Sequence, residues 1–196
     1  MDNKFSTIIL SSGFSERMGQ PKALLKWDES TTFIEKLINE FIQAGSAKIV
    51  CMINERIEPF CKQLSFPSNV EFIVNHYPER GRFLSILTGV GALDESNYCF
   101  IHNVDNPFVT NELINDLLVH KESGKWCSPV YNGKGGHPVL LPKKVINKIA
   151  AVTDLDTTLR DILEQFPKIS VTTNDDTILR NINTPEDYNL WFKLLE

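Results

Sequence analysis

The stretch Ile8-Ile9-Leu10-Ser11-Ser12-Gly13-Phe14-Ser15-Glu16-Arg17-Met18-Gly19-Gln20-Pro21-Lys22 decides the reading of this 196-residue chain. It opens as an apolar run of strand type. It then breaks into a small-residue loop with two glycines and two fixed positive charges, Arg17 and Lys22. An α/β protein builds a phosphate site in this way: small residues let backbone N–H groups approach phosphate oxygens, and the cations neutralise charge. The loop is neither of the two common glycine loops. It contains no G-x-G-x-x-G for a dinucleotide and no G-x-x-x-x-G-K-[ST] for a P-loop.

Outward from this loop, strand and helix patterns alternate, which predicts an α/β fold with a mainly parallel sheet. Strands are expected over 6–10, 48–53, 70–74, 98–104, 126–131, 138–141 and 168–172. Helices are expected over 32–44, 55–64 with an interruption near Pro59, 83–93, 111–120, 143–150, 156–165 and 185–195. Thr32 with Glu35 reads as a capping box and Gly45 as the stop of that helix. Thr184 reads as the cap of the last helix, with Pro185 at its first position. With no repeat, low-complexity stretch or long linker, residues 1–196 are expected to form one domain.

Composition narrows the function. The hydrophobic share of 42% and charged share of 23% are ordinary for a globular protein. The apolar runs are far shorter than a membrane span, and the N-terminus lacks a signal-peptide layout, so a cytoplasmic protein without a membrane partner is expected. The scattered cysteines Cys51, Cys61, Cys99 and Cys127 form no C-x-x-C pair, and three of them sit in strand-like runs as small buried hydrophobes. With 25 acidic against 20 basic residues, the net charge of −5 argues against nucleic acid as a partner. Against that background Arg17, Lys22 and Lys26 form a local positive cluster suited to a small anion.

A second signal is His102-Asn103-Val104-Asp105-Asn106-Pro107, which follows an apolar strand. A carboxylate at the carboxyl end of a strand, followed by a chain-turning proline, suits Mg²⁺. That ion takes oxygen ligands, commonly one or two carboxylates with substrate phosphates. In open α/β sheets ligands lie beyond the carboxyl ends of strands, so the opening loop and Asp105 should share one edge.

The opening loop resembles the signature L-A-A-G-x-S-x-R-M-G-x-x-K of the MobA-like NTP transferases, which include molybdopterin guanylyl- and cytidylyltransferases. Leu10, Gly13, Ser15, Arg17, Met18, Gly19 and Lys22 match, and Ser11 and Ser12 stand where the signature has alanines. Asp105 falls in the family's D-x-P motif. Asn181-Ile182-Asn183-Thr184-Pro185-Glu186-Asp187 is similar to its N/D-I-N/D-T-P-E-D motif. Asn75, Gly81 and Ser85 match its N-x(5)-G-x-x-x-S stretch, and Gly136-His137-Pro138-Val139-Leu140 its G-H/N-P-V-L segment.

The resemblance implies a Rossmann-like three-layer fold of the nucleotide-diphospho-sugar transferase type, with helices on both faces of the sheet. It implies transfer of NMP from an NTP, CTP or GTP, to a phosphorylated or hydroxyl acceptor with release of pyrophosphate. Molybdopterin is one acceptor and a sugar phosphate another. Lys22, Arg17 and Asp105 are implied as catalytic. Leu10, Ser11, Ser12, Gly13, Ser15, Arg17, Lys22, Asn75, Gly81 and Ser85 are implied to bind the nucleotide, with His137 beside the acceptor. Mg²⁺ falls to Asp105 with Asn183 or Asn181, of which Asn183 is favoured. Asp156 and Arg160 keep the spacing of the G-D-x-G-A-R found in cytidylyltransferase-like members, but the glycines are absent. That departure bears on the molybdopterin acceptor and leaves the nucleotide half intact. A monomer or weak homodimer is expected. The alternative from another class is a nucleotide sensor without catalysis on the same fold.

Overall fold

The computed structural model describes residues 4–192, so the expected helix end over 193–195 lies outside the described residues. Eight strands form one sheet. β1 (Phe5–Leu10), β2 (Lys48–Ile53), β3 (Val70–Val74) and β4 (Tyr98–Asn103) form its parallel half, in the order β3-β2-β1-β4. β5 (Trp126–Tyr131), β6 (Lys134–Gly135), β7 (Val139–Pro142) and β8 (Lys168–Thr172) form a mixed half. β7 runs antiparallel to both β4 and β5, and β8 is parallel to β5.

Side-chain alternation divides the core into two layers. On β1, Phe5 and Ile9 face one layer while Ile8 and Leu10 face the other. On β2, Ile49, Cys51 and Ile53 oppose Val50 and Met52 in the same way. The first layer is covered by α1 (Phe33–Gln43), α2 (Glu58–Cys61), α4 (Asn111–Val119) and α7 (Pro185–Phe192). The second is covered by α3 (Arg82–Gly91), α5 (Lys143–Ala150) and α6 (Leu159–Leu163). All six residues of β1 are buried, as its central place requires. Gly89 lets α3 approach it closely: a Cβ there would lie 2.9 Å from Ile8 Cγ2.

The expected capping box of Thr32 and Glu35 is present, and Gly45 ends α1 at φ +85°. All four cysteines are buried. Two helices differ from expectation. α2 is not interrupted by Pro59 but starts around it, because a proline in the first turn loses no intrahelical bond. α6 starts late. Thr158 and Asp161 cap it reciprocally, leaving Asp156 in the preceding turn rather than at the cap.

β5 and β6 form a hairpin through Asn132 and Gly133, both at positive φ. β6 pairs Val130 with Gly135, whereas β7 pairs Cys127 with Leu140, so the returning chain slips by two residues at Gly136–Pro138. That slip lifts His137 out of the ladder. None of the helices is long and apolar enough to cross a membrane among the described residues.

Candidate active site

β1 and β4 pair in parallel with Leu10 opposite Asn103, so the loops that follow emerge side by side. One further hydrogen bond, from Val104 N to Leu10 O at 3.0 Å, holds them together. The cavity beyond has a volume of about 250 Å³, and Leu10, Ser11, Ser12, Gly13, Ser15, Lys22, Gly81, Ser85 and Asp105 all line it. This is the switch point of the sheet, where chain connections depart in opposite directions.

The loop after β1 is fixed from outside. Asn54, buried past the end of β2, donates Nδ2–H to the carbonyls of Ser12 and Gly13 at 3.2 and 3.1 Å. Ser15 adopts the left-handed conformation, φ +57°, and its Oγ accepts from the Lys22 amide at 3.2 Å. Both ends of the loop are thereby tied, which fixes where the Lys22 side chain begins.

Lys22 Nζ donates to Asn183 Oδ1 at 2.7 Å and lies 3.7 Å from Asp105 Oδ2. Burial lowers the Lys22 pKa, and the neighbouring Asp105 charge works against that. Asp105 Oδ1 is buried without a hydrogen-bond partner. Asn183 arrives from far along the chain through Asn106, which is fully buried and donates Nδ2–H to the carbonyls of Thr177 and Arg180. The Asp105 carbonyl accepts from Ile182 N at 2.7 Å. Asp187 Oδ2 accepts the amides of Asn183 and Thr184, both at 2.9 Å, and these bonds hold its carboxyl below the usual range. The motif around Thr184 therefore both starts α7 and positions Asn183. Asn181 is exposed and lines neither this cavity nor its neighbours.

Arg17 lies beside the cavity in an open depression of about 440 Å³, which Lys22 and Asn183 also line. Asn75 stands one step behind the wall. Its Nδ2 donates to Ser85 Oγ at 2.9 Å, and Ser85 Oγ meets Ser12 Oγ at 2.8 Å. Ser11 Oγ is buried with no partner.

His137 lines a second cavity of about 700 Å³ between β5, β7, α3 and α6. Asn103 Nδ2 donates to its Nε2 at 3.1 Å. Burial and the Arg82 charge push the His137 pKa down to about 4, so the ring is neutral at pH 7. With Nε2 accepting, its proton sits on Nδ1, which has no partner. His102 is wholly buried and lowered to about 3, first by burial and then by His137.

Sequence reasoning missed Arg82, Asn54, Asn103 and Asn106. Arg82 lines both cavities and lies within the field of Asp105. A signal was available: an arginine in the first turn of a helix opposes the macrodipole, a misfit that marks functional positions. The three asparagines act through contacts with distant segments and leave no local pattern.

Among the described residues no three His, Cys, Asp or Glu side chains gather as a metal site. Mg²⁺ is commonly held by one or two carboxylates together with ligand phosphates rather than by a protein cage. The unpartnered Asp105 Oδ1 fits such an ion, and the Asn183 carbonyl, which accepts from Lys22 Nζ, would share that oxygen with it.

Comparison with known proteins agrees with this architecture. The chain is 27% identical over 181 residues to the molybdenum cofactor cytidylyltransferase of Escherichia coli, covering 92% of each. It is 30% identical to a probable molybdenum cofactor guanylyltransferase of Bacillus mycoides, covering 95% of this chain and 94% of the relative. It is 23% identical to the nicotine blue oxidoreductase of Paenarthrobacter nicotinovorans, covering 91% and 92%. A nucleotidyl transferase structure from Methanothermobacter superposes with a TM-score of 0.78 at 18% identity, covering 98% of both chains. The fold is thus the three-layer nucleotidyltransferase fold, and nucleotidyltransferase is the enzyme class. The family model of the MobA-like NTP transferase domain matches residues 7–171, and the chain belongs to that family.

Proposed function

We propose that the chain transfers NMP from CTP or GTP to a phosphorylated or hydroxyl acceptor, dependent on Mg²⁺, with release of pyrophosphate. The observation that carries this is the meeting of Lys22, Asp105 and Asn183 at the mouth of the cavity behind the tied loop. Gly13 adds support. It lines the cavity, and without a Cβ its backbone stays open to close approach by a ligand.

In the transfer, an acceptor oxygen attacks the α-phosphorus. The new P–O bond forms as the bond to the β-phosphate oxygen breaks, and pyrophosphate leaves. A hydroxyl acceptor gives up its proton to solvent; a phosphate dianion has none to lose. Lys22 neutralises charge that builds on the α-phosphate, and Arg17 holds the β- and γ-phosphates. Ser11, Ser12 and Ser85, backed by Asn75, face the nucleoside. Asp105 and Asn183 would hold Mg²⁺, which supplies charge neutralisation across the phosphate oxygens when bound. His137 orients the acceptor and is no general base, because its one lone pair is taken by Asn103. The molybdenum cofactor named for two of the relatives is one candidate for the acceptor's identity.

The test is pyrophosphate release from each of the four NTPs with Mg²⁺, across phosphate and alcohol acceptors that include molybdopterin. Release with CTP or GTP, lost in Lys22→Ala, supports the reading. Nucleotide binding with no release for any acceptor would favour a sensor. NADPH oxidation without release would replace transfer by redox chemistry, the activity named for the third relative.

A further inference from the structure

We propose that the second cavity seats the apolar body of a phosphate monoester, aromatic or branched aliphatic, and that the acceptor is not a heterocycle rich in hydrogen-bonding groups. This rests on the transfer reading and names its acceptor by chemistry. The cavity, about 700 Å³, is of the size that encloses a small organic ligand. Phe83, Trp126, Val139, Leu155, Leu159 and Leu163 form its walls.

Several polar groups on that lining are consumed within the protein, and the charged side chains of Asp156, Arg160 and Glu164 are exposed at its edge. Trp126 Nε1–H donates to Leu163 O at 3.1 Å. The amides of Asp156, Thr157 and Thr158 donate to Asp154 Oδ1, Asp154 O and Asp161 Oδ2. Arg160 Nε is paired with Glu164 at 2.9 Å on the exposed rim. His137 has only its Nδ1–H left. A heterocycle with several donors and acceptors on its edge would leave most of them unpaired here, which is costly. An apolar body loses nothing and gains the burial.

The head group follows from charge. Arg82 lines this cavity and the nucleotide cavity together, and Arg80 stands beside it on the second cavity's lining. An anionic head paired with Arg82 would lie at the junction of the two cavities. Thr158, with Asp161, caps α6 next to Leu155 and Leu159 on the wall.

Calorimetric titration of the whole chain tests this with four probes: naphthyl phosphate, isopentyl phosphate, glycerol phosphate and the phosphate ester of hydroxymethylpterin. Naphthyl or isopentyl phosphate should bind about tenfold or more tighter than the other two. Leu155→Asp, in a half-buried turn, should weaken that binding about tenfold, and Arg82→Ala should do the same. Glycerol phosphate or the pterin ester binding as tightly as the apolar esters would overturn the proposal. So would apolar ester binding unchanged by Leu155→Asp. CTP and GTP titrations on the same samples report the fold and the transfer reading separately. Apolar ester binding without nucleotide binding would keep the subsite and sink the transfer.

Discussion

The two halves of the sheet carry opposite kinds of site. The parallel half ends in a small cavity lined with serines and charged groups, many of them in short motifs after strand ends. The mixed half carries a larger apolar cavity whose walls come from β5, β7, α3 and α6, and the motif residues on it, such as His137, do not by themselves reveal its apolar walls. A phosphate needs backbone and charge within a few residues of one strand, so its recognition is local in sequence. An organic body needs complementary walls, and walls are assembled by the fold. Arg82 lines both cavities, and the motifs did not single it out.

Lys22→Ala and Asp105→Ala should each lower turnover at least about 100-fold, the scale of losing one transition-state charge partner. Near-normal turnover in either variant would remove that residue from the chemistry.

The mixed half should respond in stability. A Cβ at Gly136 would sit 2.5 Å from Ile178 O. Gly136→Ala should therefore cost roughly 1–3 kcal/mol and lower Tm by several degrees. An unchanged Tm would mean that the slip beside His137 is loosely packed.

Smaller effects separate neighbours within one motif. Asn183→Ala should lower turnover about tenfold, and Asp187→Ala similarly by releasing Asn183, as for partners that orient a ligand. Asn181→Ala should stay near wild type. Equal losses at Asn181 and Asn183 would contradict the placement of the C-terminal segment.

The two histidines connect the halves through pH. His137 and His102, lowered to about 4 and about 3, stay neutral in the fold while the unfolded chain takes up protons below pH ~6.5. Stability should accordingly fall as pH drops from ~6.5 towards 4. Thermal melts between pH 7 and 4.5 read this, and His137→Gln should flatten the slope. The carboxylates held low, such as Asp187, titrate beneath that window. Smallest of all, Ser11→Ala should change nucleotide affinity only a few-fold, since one neutral hydroxyl is removed.

Much of the fold was legible because its strands are buried runs and its helix starts carry local caps, as at Thr32 and Thr184. The start of α6 was not, because Asp156 and Thr158 both offer caps and only the reciprocal bond with Asp161 decides between them. Lys22 and Asp105 were legible as residue types at strand ends. Asn183 was favoured over Asn181 in sequence, but no local pattern decides between them. The choice depends on Asn106 and Asp187, which anchor the segment through bonds to residues far away or across a turn.

The most direct test of the central claim, that the tied loop and its charges form the nucleotide site, is a thermal-shift panel. ATP, CTP, GTP and UTP would be compared with and without Mg²⁺ on wild type and Lys22→Ala. A ligand at ~100 times its Kd stabilises by about 2.7 kcal/mol, enough to raise Tm by several degrees. CTP or GTP with Mg²⁺ should stabilise the wild type and lose that effect in the variant. Equal stabilisation of both proteins, or none by any nucleotide, would contradict it.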